Sequence, residues 1–135
     1  MITEDYVSFE TAKLLKEKGF NEPCECFYDT EHNDISIVNG WMDTSNSLLE
    51  EREFLCYSAP TLQMAMKWLR ENHNLYVTSV PNGIGEYVFY PWVYKKFECG
   101  WNVLESSLNG FQNTEFSSPE EACEAAIKYC LENLI

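Results

Sequence analysis

Positive charge is scarce in this 135-residue chain. Nine lysines and arginines stand against 22 aspartates and glutamates, for a formal charge of −13. The bases are also scattered, with Lys13, Lys16 and Lys18 on one segment, Lys67 and Arg70 on another, and Lys95 and Lys96 on a third. No basic arm or stripe offsets the repulsion of a phosphate backbone, so direct nucleic-acid binding is not expected. Long apolar runs are missing as well, which excludes a membrane-spanning helix. Met1 to Asp5 lacks a basic stretch followed by an apolar one, so no secretory signal is expected there. The expected compartment is the cytoplasm, with the cysteines reduced.

Chemically versatile residues are few. Histidine is limited to His32 and His73, and the available nucleophiles Cys56 and Ser58 sit in no Gly-x-Ser-x-Gly elbow or cysteine-protease signature. Gly83-Ile84-Gly85 lacks a third glycine, a following helix and a Lys-Ser/Thr pair, so it reads as a turn and not a phosphate cradle. Carboxylates are too numerous for any pair to be singled out as a glycosidase-like site. No catalytic residue and no cofactor is expected.

What the chain does have is core-forming material. Apolar residues make up 45% of it and aromatics 15%, which suits one folded domain over residues 1–135 and not a disordered chain. Acids are densest from Glu22 to Glu53, where Glu25, Asp29, Glu31, Asp34, Asp43, Glu50 and Glu51 face only Arg52. Six cysteines are present. Cys24 and Cys26, near His32, have the look of half a zinc site, but on a strand they share one face with Tyr28 and read as core packing. Cys123 and Cys130 are stripe neighbours on a helix. No metal site is expected.

Periodicity places a helix at Ser8–Lys18 with Gly19 as its stop and Phe20 packing back. A hairpin of Cys24–Asp29 and Ile35–Val38 follows, closed by a turn-rich link from Thr30 to Asp34. Asn39 and Gly40 end the second strand, Trp41–Glu53 reads as a loop with a local turn at Leu48 and Leu49, and Phe54–Tyr57 as a short strand. Ser58 and Pro60 read as the cap and first turn of a central helix, with Leu62, Ala65, Met66 and Leu69 buried and Trp68 at the edge. Asn72, His73 and Asn74 close it. Leu75–Val80 and Glu86–Tyr90 form a second hairpin around Pro81–Gly85, and Val93–Phe97 and Trp101–Glu105 extend the meander, interrupted at Pro91 and Gly100. Ser118, Pro119 and Glu121 open a last helix with a capping box, and Cys123, Ala126, Ile127, Cys130 and Leu134 line it. The order α-ββ-α-βββ-α predicts an α+β fold with one antiparallel sheet of about five strands and three helices mainly on one face.

Aromatic side chains crowd the second half. Tyr87, Phe89, Tyr90, Trp92, Tyr94, Phe97 and Trp101 fall on about two strands, and since strand neighbours alternate in direction, both faces carry aromatics. One face can bury against helices. The other is covered by the Trp41–Glu53 loop, or it is an interaction surface, or it lines a ligand pocket. Trp41, Tyr87, Phe89, Tyr90, Trp92, Tyr94 and Trp101 are the residues expected to build such a surface.

Two stretches carry a family resemblance. Tyr57-Ser58-Ala59-Pro60-Thr61, Lys67-Trp68-Leu69-Arg70-Glu71, the following His73 and Leu75-Tyr76-Val77 form one, and Pro119-Glu120-Glu121-Ala122 through Ala125-Ala126 to Leu131 form the other. Over roughly its C-terminal two-thirds the chain resembles small uncharacterised phage- and mobile-element-related proteins of gut Bacteroidetes, a family without an assigned activity. The matching residues are caps and core positions, so the resemblance implies a fold and no site. The expected function is therefore that of a non-enzymatic binding or accessory protein, acting on a partner protein or on a second copy of itself. Two rival readings are a small-molecule-binding protein or minor enzyme with a pocket between the aromatic strands and the 41–53 loop, favoured by convergent polar groups such as His32, Asp43 or Tyr94, and an acidic inhibitor of a nucleic-acid-binding protein.

Overall fold

A computed structural model describes residues 2–30, 36–51, 55–81, 88–104 and 116–135, with the backbone alone described at 36 and 39–43. The expected links at 31–34, 82–87 and 105–115 lie outside these residues. The fold is α+β. It divides into two compact units, Met1–Gln63 and Met64–Ile135, with the boundary inside a helix.

In the first unit, helix α1 (Phe9–Glu17) begins where the sequence predicts. Ser8 is its N-cap and accepts a hydrogen bond from the Thr11 N–H, satisfying one of the orphan first-turn donors. At the other end Gly19 has φ +94°. Its N–H bonds to Lys16 O and the Phe20 N–H to Leu15 O. This double return bond needs a left-handed residue, which glycine supplies without Cβ strain, and it drives Phe20 into the core.

Strand β1 (Cys24–Asp29) is the centre of a three-stranded antiparallel sheet of order β2-β1-β3, flanked by β2 (Ser36–Thr44) and β3 (Cys56–Ser58). The second strand is longer than its sequence suggests. Cys26 pairs with Asn39 but Cys24 with Thr44, so residues 40–43 bulge opposite Glu25 alone. The supposed loop then folds as the short helix α2 (Asn46–Leu49). Phe27, Leu49 and Cys56 make a buried cluster with Val38 against it. On the other face Phe9 of α1 packs edge-on against both Tyr28 and Tyr57, at 5.6 Å each, a favourable aromatic geometry.

Asn46 ties this unit together. Its side chain is 4% exposed, donates to Phe20 O at 2.7 Å and accepts from the Ser58 N–H at 2.9 Å. Ser58 is consequently a strand residue, paired with Phe27, and not a helix cap. The central helix α3 (Leu62–His73) starts four residues later, and the Leu62 N–H bonds to Asp5 O. A carbonyl from the distant N-terminal segment, bridged through Tyr6 and Thr61, does the work assigned to Ser58. Along α3, Leu62, Ala65, Trp68 and Leu69 are buried. Asn74, at φ +56°, ends it, a conformation asparagine tolerates.

The second unit has its own three-stranded antiparallel sheet, of order β4-β5-β6. It comprises β4 (Leu75–Pro81), β5 (Phe89–Phe97) and β6 (Gly100–Val103). Helix α4 (Pro119–Asn133) packs on β4 and β5. Ser118 caps α4 by accepting from the Glu121 N–H. Glu121 Oε2 reaches back one residue further than a capping box requires, to the Ser117 N–H and hydroxyl at 3.3 and 2.8 Å.

The single five-stranded sheet is thus replaced by two sheets of three strands, and four helices stand among the described residues. The reason is hydrogen bonding: β3 returns to the free edge of β1, and β6 to the free edge of β5, so each central strand has both edges filled within its own unit. Pro91 does not interrupt β5. The Lys96 N–H bonds to Asn74 O, which sets the even-numbered β5 residues as those bonding to β4. Pro91, opposite Ser79, points its nitrogen the other way, so its missing N–H removes no β4 bond.

A candidate interaction surface on the second sheet

The register of β4, β5 and β6 sorts their side chains into two faces. Leu75, Val77, Ser79, Pro91 and Val93 lie on one, and four of these five are buried. That face carries α4: the half-buried Cys123 thiol is hydrogen-bonded to Ser79, and burial pushes the thiol upward in pKa. Further along α4, Ala126, Ile127, Cys130 and Leu131 are fully buried, and burial pushes Cys130 up to about 12, so it stays a neutral thiol.

The opposite face is aromatic. Tyr76 pairs with Tyr94, Thr78 with Trp92 and Val80 with Tyr90, while Lys96 pairs with Trp101 of β6. The Tyr76 ring stands 6.1 Å from Tyr94 and 5.9 Å from Trp101, at 71° and 61°, reaching over β5 to do so. Trp92 lies 6.2 Å from Tyr94 at a 32° tilt. Tyr76 and Trp101 are each 40% exposed, and Trp92, Tyr94 and Tyr90 are half-buried. Edge-on contacts fix the rings mutually, so the cluster is an ordered surface with little rotamer freedom left to lose.

Of the seven residues expected on this surface, the structure brings Tyr90, Trp92, Tyr94 and Trp101 to one face. Phe89 belongs to the α4 face, where its backbone bridges to Phe116. Trp41 lies in the β2 bulge of the first unit, and Tyr87 is outside the described residues. Tyr76, the hub of the cluster, was missed. Its signal was present: it alternates with the buried Leu75 and Val77, as an outward-facing strand residue must.

The residues weighed for chemistry are held by architecture. Ser58 is buried, its N–H held by Asn46 and its hydroxyl without a hydrogen-bond partner among the described residues. The Cys24 thiol donates to Glu22 O. A hydrogen bond to Cys26 holds the Tyr6 phenol above its ordinary pKa, with the Cys26 charge, burial, Glu25 and Glu4 adding to the shift. His73 stands edge-on to Trp68 at 4.7 Å, and burial lowers its pKa. His32 lies outside the described residues, among which no group of three or more His, Cys, Asp or Glu is placed to hold a metal ion. No helix among them is long and apolar enough to cross a membrane. The chain matches no known family model, no curated protein and no solved structure.

Proposed function

We propose that the protein is a binding or accessory protein that acts through protein–protein contacts, with the aromatic face of β4-β5-β6 as its contact surface. The observation that carries this reading is the Tyr76–Tyr94–Trp101 cluster, ordered by edge-on contacts while Tyr76 and Trp101 stay 40% exposed. Tyrosine and tryptophan give large contact area at low entropic cost and dominate the energetics of protein interfaces. The resemblance of Tyr57–Glu71 and of the α4 segment to phage- and mobile-element-related proteins supports placing this binding role in such an element.

Acrylamide quenching of the free chain beside a Trp101→Phe variant, together with light scattering across concentrations, tests the reading. Trp101 is expected to contribute a readily quenched component that the variant lacks. A strict monomer in which Trp101 contributes no quenchable emission would remove the surface and the proposal with it.

A further inference from the structure

We infer that the aromatic face recognises an acidic segment of a partner protein, with a partner carboxylate pairing to Lys96 beside aromatic or leucine side chains seated on the cluster. This deepens the protein-contact reading above and rests on it. The basis is where charge is absent. Strands β4, β5 and β6 hold no aspartate or glutamate, in a chain that has 22 of them. The first sheet is not built this way: Glu25 and Asp29 lie on β1 and Asp43 on β2. The charges on the second sheet are Lys95 and Lys96, adjacent and exposed. Register assigns Lys96 to the aromatic face, opposite Trp101.

Neither lysine makes an ion pair among the described residues, whereas Lys67 and Lys128 pair with Glu71 and Glu132. Glu98, in the turn between β5 and β6, is the nearest acid in sequence. A lysine with no ion pair among the described residues, beside tyrosine and tryptophan on strands that hold no carboxylate, is complementary to an anionic and apolar segment. At physiological salt, fields are screened within about 8 Å, so this local charge governs contact more than the net −13 of the chain. The same face turned against a second copy would set Lys96 against strands that hold no acid, which the charge pattern disfavours.

Panning a random displayed-peptide library on the full chain, in parallel with Tyr76→Ser, Trp101→Ser and Lys96→Glu variants, tests the assignment. All three positions are exposed, and circular dichroism checks that the variants fold. The expected outcome is enrichment of peptides with Asp or Glu next to aromatic or leucine residues, lost on the two serine variants and weakened about tenfold on Lys96→Glu, as reversal of an exposed charge pair implies. Peptides that depend on Tyr76 and Trp101 but show no acidic bias would overturn the charge assignment and leave the contact surface standing. No peptide depending on Tyr76 or Trp101 would overturn both. Saturable binding of a labelled oligothymidylate, or a concentration-dependent dimer abolished by Tyr76→Ser, would overturn it in favour of single-stranded nucleic acid or a second copy.

Discussion

Removing the Asn46 amide should be one of the costliest single changes in the first unit. The side chain is buried and spends both ends on backbone: Phe20 O takes its N–H and the Ser58 N–H reaches its Oδ1. Asn46→Ala leaves both groups unpaired where water is excluded, at about 1–3 kcal/mol each and so about 2–6 kcal/mol together. That is a large part of the roughly 5–15 kcal/mol of a typical domain. Asn46→Asp separates the two bonds. It keeps the acceptor for Ser58 but sets a second oxygen against Phe20 O, and it buries a charge, so at neutral pH it should be no better than alanine. Protonation restores a donor toward Phe20, so the aspartate variant alone should regain stability as pH falls toward about 4, the range of an ordinary aspartate. Urea unfolding followed by far-ultraviolet circular dichroism at pH 7 and pH 4.5 measures this. Losses under about 1 kcal/mol for both variants, or no recovery of the aspartate variant relative to alanine, would refute the bridging role.

Three further outcomes follow from named groups. Cys130, pushed from the ordinary 9.0 to about 12 by burial, keeps its proton in the fold while the unfolded chain loses it. Its contribution is therefore complete below pH 9 and falls as pH rises toward 12, by at most about 4 kcal/mol at 1.36 kcal/mol per decade; unfolding curves of wild type minus Cys130→Ala should show that slope. His73, lowered by burial, binds its proton more readily when unfolded, so stability is full above the ordinary value of about 6.5 and declines as pH falls through the window beneath it; His73→Gln should flatten the decline in thermal melts. Ser118→Ala removes the acceptor of the Glu121 N–H and should cost about 1 kcal/mol of unfolding free energy, whereas a change below a few tenths would mean that Glu121 and Ser117 hold the helix end without it.

The parts of the fold that were legible in the sequence are those with local causes. Ser8 and Ser118 cap helices because the donors they satisfy lie within three residues, and Gly19 ends α1 because left-handed backbone there suits no other residue as well. Ser58 carried the same local signature ahead of Pro60 and was misread, since its environment is set by Asn46 and Phe27, remote in sequence. The residue that does start α3 takes its partner from Asp5, which no local pattern reveals. Residues 40–44 join β2 because Thr44 pairs with Cys24, again a tertiary cause. For the surface, alternation alone separated neighbouring aromatics onto opposite faces. Only the register places Tyr76 of β4 and Trp101 of β6 beside Tyr94, and that register requires knowing which strands pair.

The central claim is that α4 covers one face of β4-β5-β6 and leaves the aromatic face open. Hydroxyl-radical footprinting of the full chain, read residue by residue by mass spectrometry, tests it most directly. Tyr76 and Trp101, 40% exposed, should oxidise rapidly, while Trp68, Val93 and Leu131, all buried, should be protected. Protection of Tyr76 and Trp101 to the level of Trp68 in the isolated chain would contradict the account.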